Sequence, residues 1–100
     1  MFNKKVKIKK KKPTHLYILS DGEKVKIGVT SDIDTRIKTL QTGNPKKIVL
    51  LYIEERTNPT KAETYLHRCF AKQREEGEWF HGLTVEQIRS RLMIFFDQDE

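Results

Sequence analysis

Two apolar runs joined by a short polar turn constrain this chain most. His15-Leu16-Tyr17-Ile18-Leu19 reads as a strand, and Asp21-Gly22 as a two-residue hairpin turn, because glycine accepts positive φ. Lys24-Val25-Lys26-Ile27-Gly28-Val29 reads as the return strand, with the alternation of a half-buried strand. This turn pairs Ser20 with Glu23 and therefore sets Tyr17 directly across from Lys26, with Cβ atoms about 4.5–5.5 Å apart. A symmetric four-residue loop predicts the same register. An ammonium beside a phenol lowers a pKa that starts near ~10, which would equip Tyr17 as a general base on water. An ordinary cross-strand pair, with the lysine stem lying on the ring, accounts for the same two residues.

The remaining pattern gives five further segments. Thr30 or Ser31 offers an N-cap for a helix from about Asp32 to Gln41, whose apolar stripe is Ile33, Ile37 and Leu40 and which Gly43 and Pro45 stop. A third strand runs from Lys47 to about Glu54; its uninterrupted apolar centre, Ile48 to Ile53, predicts a central strand covered on both faces. Asn58-Pro59 opens a second helix that extends to about Arg74, with Ala62, Leu66, Cys69 and Phe70 inward, until Gly77 ends it. Glu78-Trp79-Phe80 is a short aromatic segment expected to pack on the sheet. Thr84 caps a last helix in which Val85, Ile88, Leu92 and Phe95 recur at helical spacing, and the acidic end from Asp97 to Glu100 is expected to fray. The order ββαβαα predicts an α+β domain over residues 14–97, with a small three-stranded sheet, mixed or antiparallel, flanked by helices.

Charge is distributed unevenly. Seven of the twenty basic residues (Lys4, Lys5, Lys7, Lys9, Lys10, Lys11 and Lys12) precede Pro13, which leaves thirteen basic against fourteen acidic residues in the rest of the chain. Residues 1–13 therefore read as a flexible basic arm, within which Val6 and Ile8 allow a short edge strand. Lysines in such a run suit phosphate backbones, an anionic membrane surface, or a solubilising leader. Lys9, Lys10, Lys11, Lys12, Lys46 and Lys47 are the candidate nucleic-acid contacts. No stretch approaches the ~20 apolar residues of a membrane span, and no apolar core follows the charged start as in a secretory signal. The single cysteine, Cys69, forms no internal disulfide and fits a reducing, cytoplasmic setting.

Arg36 flanks the buried stripe of the first helix, one turn from Ile33 and Leu40, so its guanidinium can look toward the sheet edge and hold a phosphate. A local pair with Asp32, worth about 0.3–0.5 kcal/mol, is the rival account. Glu63 and His67 share a face of the second helix. That carboxylate could hold Mg²⁺ or Mn²⁺, and the imidazole could touch the same phosphate or a metal-bound water, although this spacing is common on solvated helices. Cys69, His67, His81 and His15 form no zinc pattern. Met93, Ile94 and Phe96 exceed what one core-facing stripe needs, which suits an interaction surface or a homodimer.

Leu16-Tyr17-Ile18, then Lys26-Ile27-Gly28-Val29-Thr30, then Arg36 within a helix, resembles the GIY-YIG nuclease core. His15 and Leu16 stand in place of the Gly-Ile of the first motif, and Lys26 stands where the common second motif has tyrosine. This variant is similar to the phage-type branch of that superfamily, as are Leu40-Gln41-Thr42-Gly43-Asn44-Pro45, Glu63 to Phe70, and Gly77-Glu78-Trp79-Phe80. The likeness covers about residues 14 to 82. It implies phosphodiester hydrolysis with one divalent metal, Mg²⁺ or Mn²⁺, with DNA as the expected substrate and partner and RNA as the alternative. In that reading Glu63 matches the metal-binding glutamate, and Arg36 the arginine that stabilises the pentacovalent phosphate. Tyr17 matches the tyrosine that activates water, with Lys26 as its electrostatic partner. The second tyrosine is absent. The family's late asparagine has no clear counterpart; Glu78 is nearest in order, but its aromatic neighbours point to packing. A nucleic-acid-binding module without catalysis is the alternative. A separate specificity subunit is a partner that small nucleases of this kind often need.

Overall fold

The computed structural model describes residues 12–99. The expected arm lies almost wholly outside these residues, as do Lys9, Lys10 and Lys11. The chain folds into strands β1 (His15–Ser20) and β2 (Val25–Thr30), helix α1 (Ile33–Thr42), strand β3 (Val49–Glu55), helix α2 (Pro59–Cys69), a 3-10 turn (Ala71–Gln73), strand β4 (Trp79–Phe80) and helix α3 (Val85–Asp99). The α+β class expected from the pattern holds. The sheet, however, has four strands in the order β3-β1-β2-β4, and all neighbours are antiparallel.

The hairpin forms where the sequence places it, but in another register. Tyr17 pairs with Gly28 and Leu19 with Lys26, so the expected Tyr17–Lys26 pair is not made. Asp21 is the cause. Its Oδ1 accepts from the backbone N–H groups of Glu23 and Lys24 at 2.9 and 2.7 Å, and its own N–H donates to the Lys24 carbonyl. The loop is thereby Asp21–Lys24, with Gly22 at φ +98°. Pairing slides by two residues, and because side chains alternate with a period of two, each keeps its face. Tyr17 and Lys26 still share one.

β1, not β3, is the central strand. Leu16 to Leu19 are all fully buried, whereas Val49, Leu50 and Leu51 are 47, 36 and 43% exposed on an edge. An apolar run without alternation occurs in both strands. β1 takes the centre because it pairs with its hairpin partner on one side and with β3 on the other. Leu51 is the extra residue of a bulge opposite the Ile18–Leu19 step.

One face of the sheet, with Leu16, Ile18 and Ile27, packs against Ala62 and Leu66 of α2 and Ile88, Leu92 and Phe95 of α3. Each such side chain contributes about 1.5–3 kcal/mol by leaving water. The other face carries Tyr17 and Leu19 beneath Ile33, Ile37 and Leu40 of α1. The cap of α1 is Asp32 rather than Thr30 or Ser31: its carboxylate accepts from the Thr35 N–H at 3.2 Å, while Thr30 Oγ1 accepts from the Asp32 N–H. Asn58 and Pro59 open α2 as expected. That helix stops at Cys69, which is exposed, instead of reaching Arg74. Arg74 bridges Phe80, and the Glu75 N–H donates to the Trp79 carbonyl, so this segment doubles back through Gly77 to form β4. Thr84 and Gln87 cap α3 reciprocally: Thr84 Oγ1 accepts from the Gln87 N–H at 3.1 Å, and Gln87 Oε1 from the Thr84 N–H at 2.8 Å. Among the described residues no helix is long and apolar enough to cross a membrane.

Candidate active site

On β2, β4 pairs with Val25 and Lys26 alone, so beyond Ile27 the outer edge of β2 has no strand beside it among the described residues. Two other segments close there. The Ile27 N–H donates to the Glu78 carbonyl at 3.2 Å, and His67 Nε2 donates to the Ile27 carbonyl at 2.9 Å. A carbonyl only accepts, so Nε2 carries a proton, and this nitrogen ties α2 to β2 instead of facing a ligand. The His67 ring also stands edge-on to Phe80, with centroids 5.0 Å apart. At this point α2, on one face of the sheet, and α1, on the other, can both reach around the edge.

Tyr17 is fully buried. Its ring lies over Gly28: a Cβ built on that residue would fall 2.5 Å from Tyr17 Cζ, nearer still to the hydroxyl, and 2.9 Å from Glu78 Oε1. Glycine is required here for close approach rather than for turn geometry. Arg36 Nε donates to the Tyr17 hydroxyl at 3.1 Å, so Arg36 does look toward the sheet. The expected lowering of the Tyr17 pKa is overturned. Burial pushes it above 10.0; Arg36 opposes that rise, and the charges of Glu78 and Glu63 add to it. Lys26 neutralises a different group. Its Nζ is 3.4 Å from Glu78 Oε1 and 5.4 Å from the centre of the Trp79 ring. Burial lowers the Lys26 pKa, and Glu78 resists that fall.

Glu63 projects from α2 into the same cluster. Its Oε2 lies 4.0 Å from His67 Nε2, is buried, and has no hydrogen-bond partner. Burial first, then the hydrogen bond to Glu78 and its like charge, raise the Glu63 carboxyl to about 7, while Lys26 and Arg74 draw it down. Two carboxyl groups side by side, one with an orphaned oxygen, suit a hard divalent cation, whose charge would relieve both their repulsion and their desolvation. Among the described residues no group of three or more His, Cys, Asp or Glu side chains is placed to hold a metal. Glu63 and Glu78 are the carboxyl groups that the cluster itself could offer a cation.

Tyr17, Lys26, Arg36 and Glu63, drawn from four elements, act on one another within one charged cluster. Lys12, Lys46 and Lys47 are exposed, and Lys46 pairs with Glu23 at the hairpin loop. Glu78 is the site residue that sequence reasoning passed over. Its place nearest the late asparagine was the available signal, and Trp79-Phe80 beside it pointed the other way. Residues 14–95 match the T5orf172 domain. The chain belongs to that family. T5orf172 is a phage-type domain found in some GIY-YIG-like nuclease-related proteins, and membership points to a nuclease-type or DNA-binding role. The match to the T5orf172 domain runs well into α3, beyond the segments that carry the GIY-YIG likeness. No curated protein and no solved structure matches the chain.

Proposed function

We propose that this T5orf172 domain is a metal-dependent endonuclease that hydrolyses DNA phosphodiester bonds by a GIY-YIG-type, single-metal mechanism. The observation that carries this reading is the meeting of Tyr17, Lys26, Arg36, Glu63 and Glu78 beside β2, where β4 ends its pairing. Glu63 and Glu78 would hold Mg²⁺ or Mn²⁺, which supplies Lewis-acid stabilisation to phosphate oxygens. Arg36 commits Nε to Tyr17 and keeps its other N–H donors for the phosphate. Lys26 balances the charge of Glu78 and holds that side chain beside the Tyr17 hydroxyl. His67 fixes the helix that presents Glu63.

Tyr17 cannot serve as a base while its pKa stays above the ordinary value. Burial is the first cause of that rise and the charges of Glu78 and Glu63 add to it, whereas Arg36 favours ionisation. Neutralising the two carboxylates would remove their share of that rise; a Tyr17 hydroxyl that then gave its proton to solvent would leave a phenolate, held by the Arg36 hydrogen bond, able to take a proton from water. Lys9, Lys10, Lys11, Lys12, Lys46 and Lys47 are assigned to sequence-independent contact with the DNA backbone.

The test is plasmid DNA incubated with purified protein and Mn²⁺, with Glu63→Ala beside it and circular dichroism to verify folding. Nicking by the wild type and none by the variant is expected. Full cleavage by Glu63→Ala removes Glu63 from the cation site. The complete burial of Tyr17 favours a second reading, a DNA-binding module without turnover, and the absence of cleavage with every divalent ion selects it.

A further inference from the structure

The edge of the sheet remote from this cluster has a property the nuclease reading does not use. β3 is an outer strand among the described residues, and Val49, Leu50 and Leu51 are consecutive, apolar and exposed. From Ile48 to Ile53 the strand carries no charge and no proline, two of the devices that commonly keep an edge from pairing with another chain; the bulge at Leu51 is the one such device it has there. The other exposed large apolar side chains among the described residues are Met93 and Ile94, both on α3. A hollow of about 380 Å³ between Tyr52 of β3 and α3 is lined by Leu92, Met93 and Phe96 together with Glu86, Arg89 and Ser90.

The charges bracketing β3 state what fits it. Lys46 and Lys47 stand at its beginning, and Glu54 and Glu55 at its end. Lys47 and Glu55 are both exposed. An antiparallel partner with the same sequence, related by a two-fold axis through the apolar middle, sets the basic end of each strand against the acidic end of the other. Self-complementarity of this kind is the signature of an isologous interface. We propose that the outer edge of β3 pairs with β3 of a second copy of this chain, giving one continuous sheet. The Tyr17–Glu63 cluster gathers over Gly28 and Lys26 of β2, and in the order β3-β1-β2-β4 strand β1 separates β2 from the proposed interface, so both clusters stay open in the dimer.

Sedimentation velocity and amide exchange on the full chain test this. The wild type is expected to dimerise in roughly the 10–100 µM range, with β3 amides gaining protection as concentration rises. Leu51→Lys, at an exposed position, is expected to give a folded monomer. Lys47→Glu and Glu55→Lys should each raise the dimer Kd about tenfold, because each creates two like-charge contacts, and the double variant should return it close to wild type. A monomer at every concentration overturns the proposal. So does β3 protection that does not vary with concentration, which would assign the edge to another segment of the same chain. A Leu51→Lys protein that still dimerises overturns it in favour of another surface, and a double variant as weak as the singles rules out antiparallel self-pairing.

Discussion

Along β2 and β4 the sheet buries an ammonium, Lys26, at 6% exposure, whereas along β3 it leaves Val49, Leu50 and Leu51 36–47% exposed. The first arrangement costs desolvation energy and is held by a carboxylate at 3.4 Å and an aromatic ring. The second leaves hydrophobic stabilisation unused. Neither is what stability alone would select, and the contrast separates their purposes. A buried, mutually dependent charge cluster suits chemistry on a charged substrate. An apolar, unpaired edge suits a partner. The fold keeps the two apart by placing β1 between β3 and β2.

The contrast can be broken most directly by truncation. Phe80 on β4 is fully buried and packs against His67 and the main core. Phe80→Ala should cost about 3–5 kcal/mol in urea unfolding, whereas Leu51→Ala, measured at concentrations that keep the chain monomeric, should cost less than about 1 kcal/mol. Equal losses would mean that the two edges are equally integral to the fold. A smaller effect is expected from pH. Glu63 titrates at about 7 when folded against an ordinary 4.5, so the folded state binds the extra proton between those values. In cation-free buffer that stabilising uptake is complete below about 4.5 and is lost as pH rises through about 7. Stability should therefore fall by roughly 1–3 kcal/mol across the window, and Glu63→Gln should flatten the slope. A wild-type slope that survives in Glu63→Gln belongs to another group.

The subtlest prediction concerns which cation governs Tyr17. Arg36→Met should raise the Tyr17 pKa further, since Arg36 supplies both the hydrogen bond and the charge that lower it. Lys26→Met should move it less, because Lys26 faces Glu78. NMR titration of ring-labelled tyrosine resolves the two, and a larger shift from Lys26→Met would restore the cross-strand pair expected from the hairpin.

Much of the fold was legible locally. The hairpin, the Asn58-Pro59 and Thr84 helix starts, and the stripe of Ile88, Leu92 and Phe95 depend on contacts within a few residues, and each formed where its pattern placed it. Legibility failed where two local solutions compete. Asp21 can open a two-residue turn or accept two backbone N–H groups in a longer loop, and only the second occurs. The segment after Cys69 has a continuing helical pattern, yet Arg74 is drawn into a bridge with Phe80 that no periodicity announces. Of the candidate site, the four residues that the family likeness marked do come together, but their pairings differ from those expected. Glu78 joined them because β4 turns it toward Lys26.

By itself, the sequence determined where the hairpin strands and the three helices lie, though not where the second helix ends, and which side chains share a face, since these follow from periodicities of two and 3.6 residues. It also determined that glycine follows Ile27, without determining why. Tertiary structure alone decided that Arg36 meets Tyr17, that Lys26 meets Glu78, and that Glu63 meets Glu78 around a strand edge. The physical reason is that charged groups choose partners by distance and by exclusion of water, and both are set only once the layers have packed.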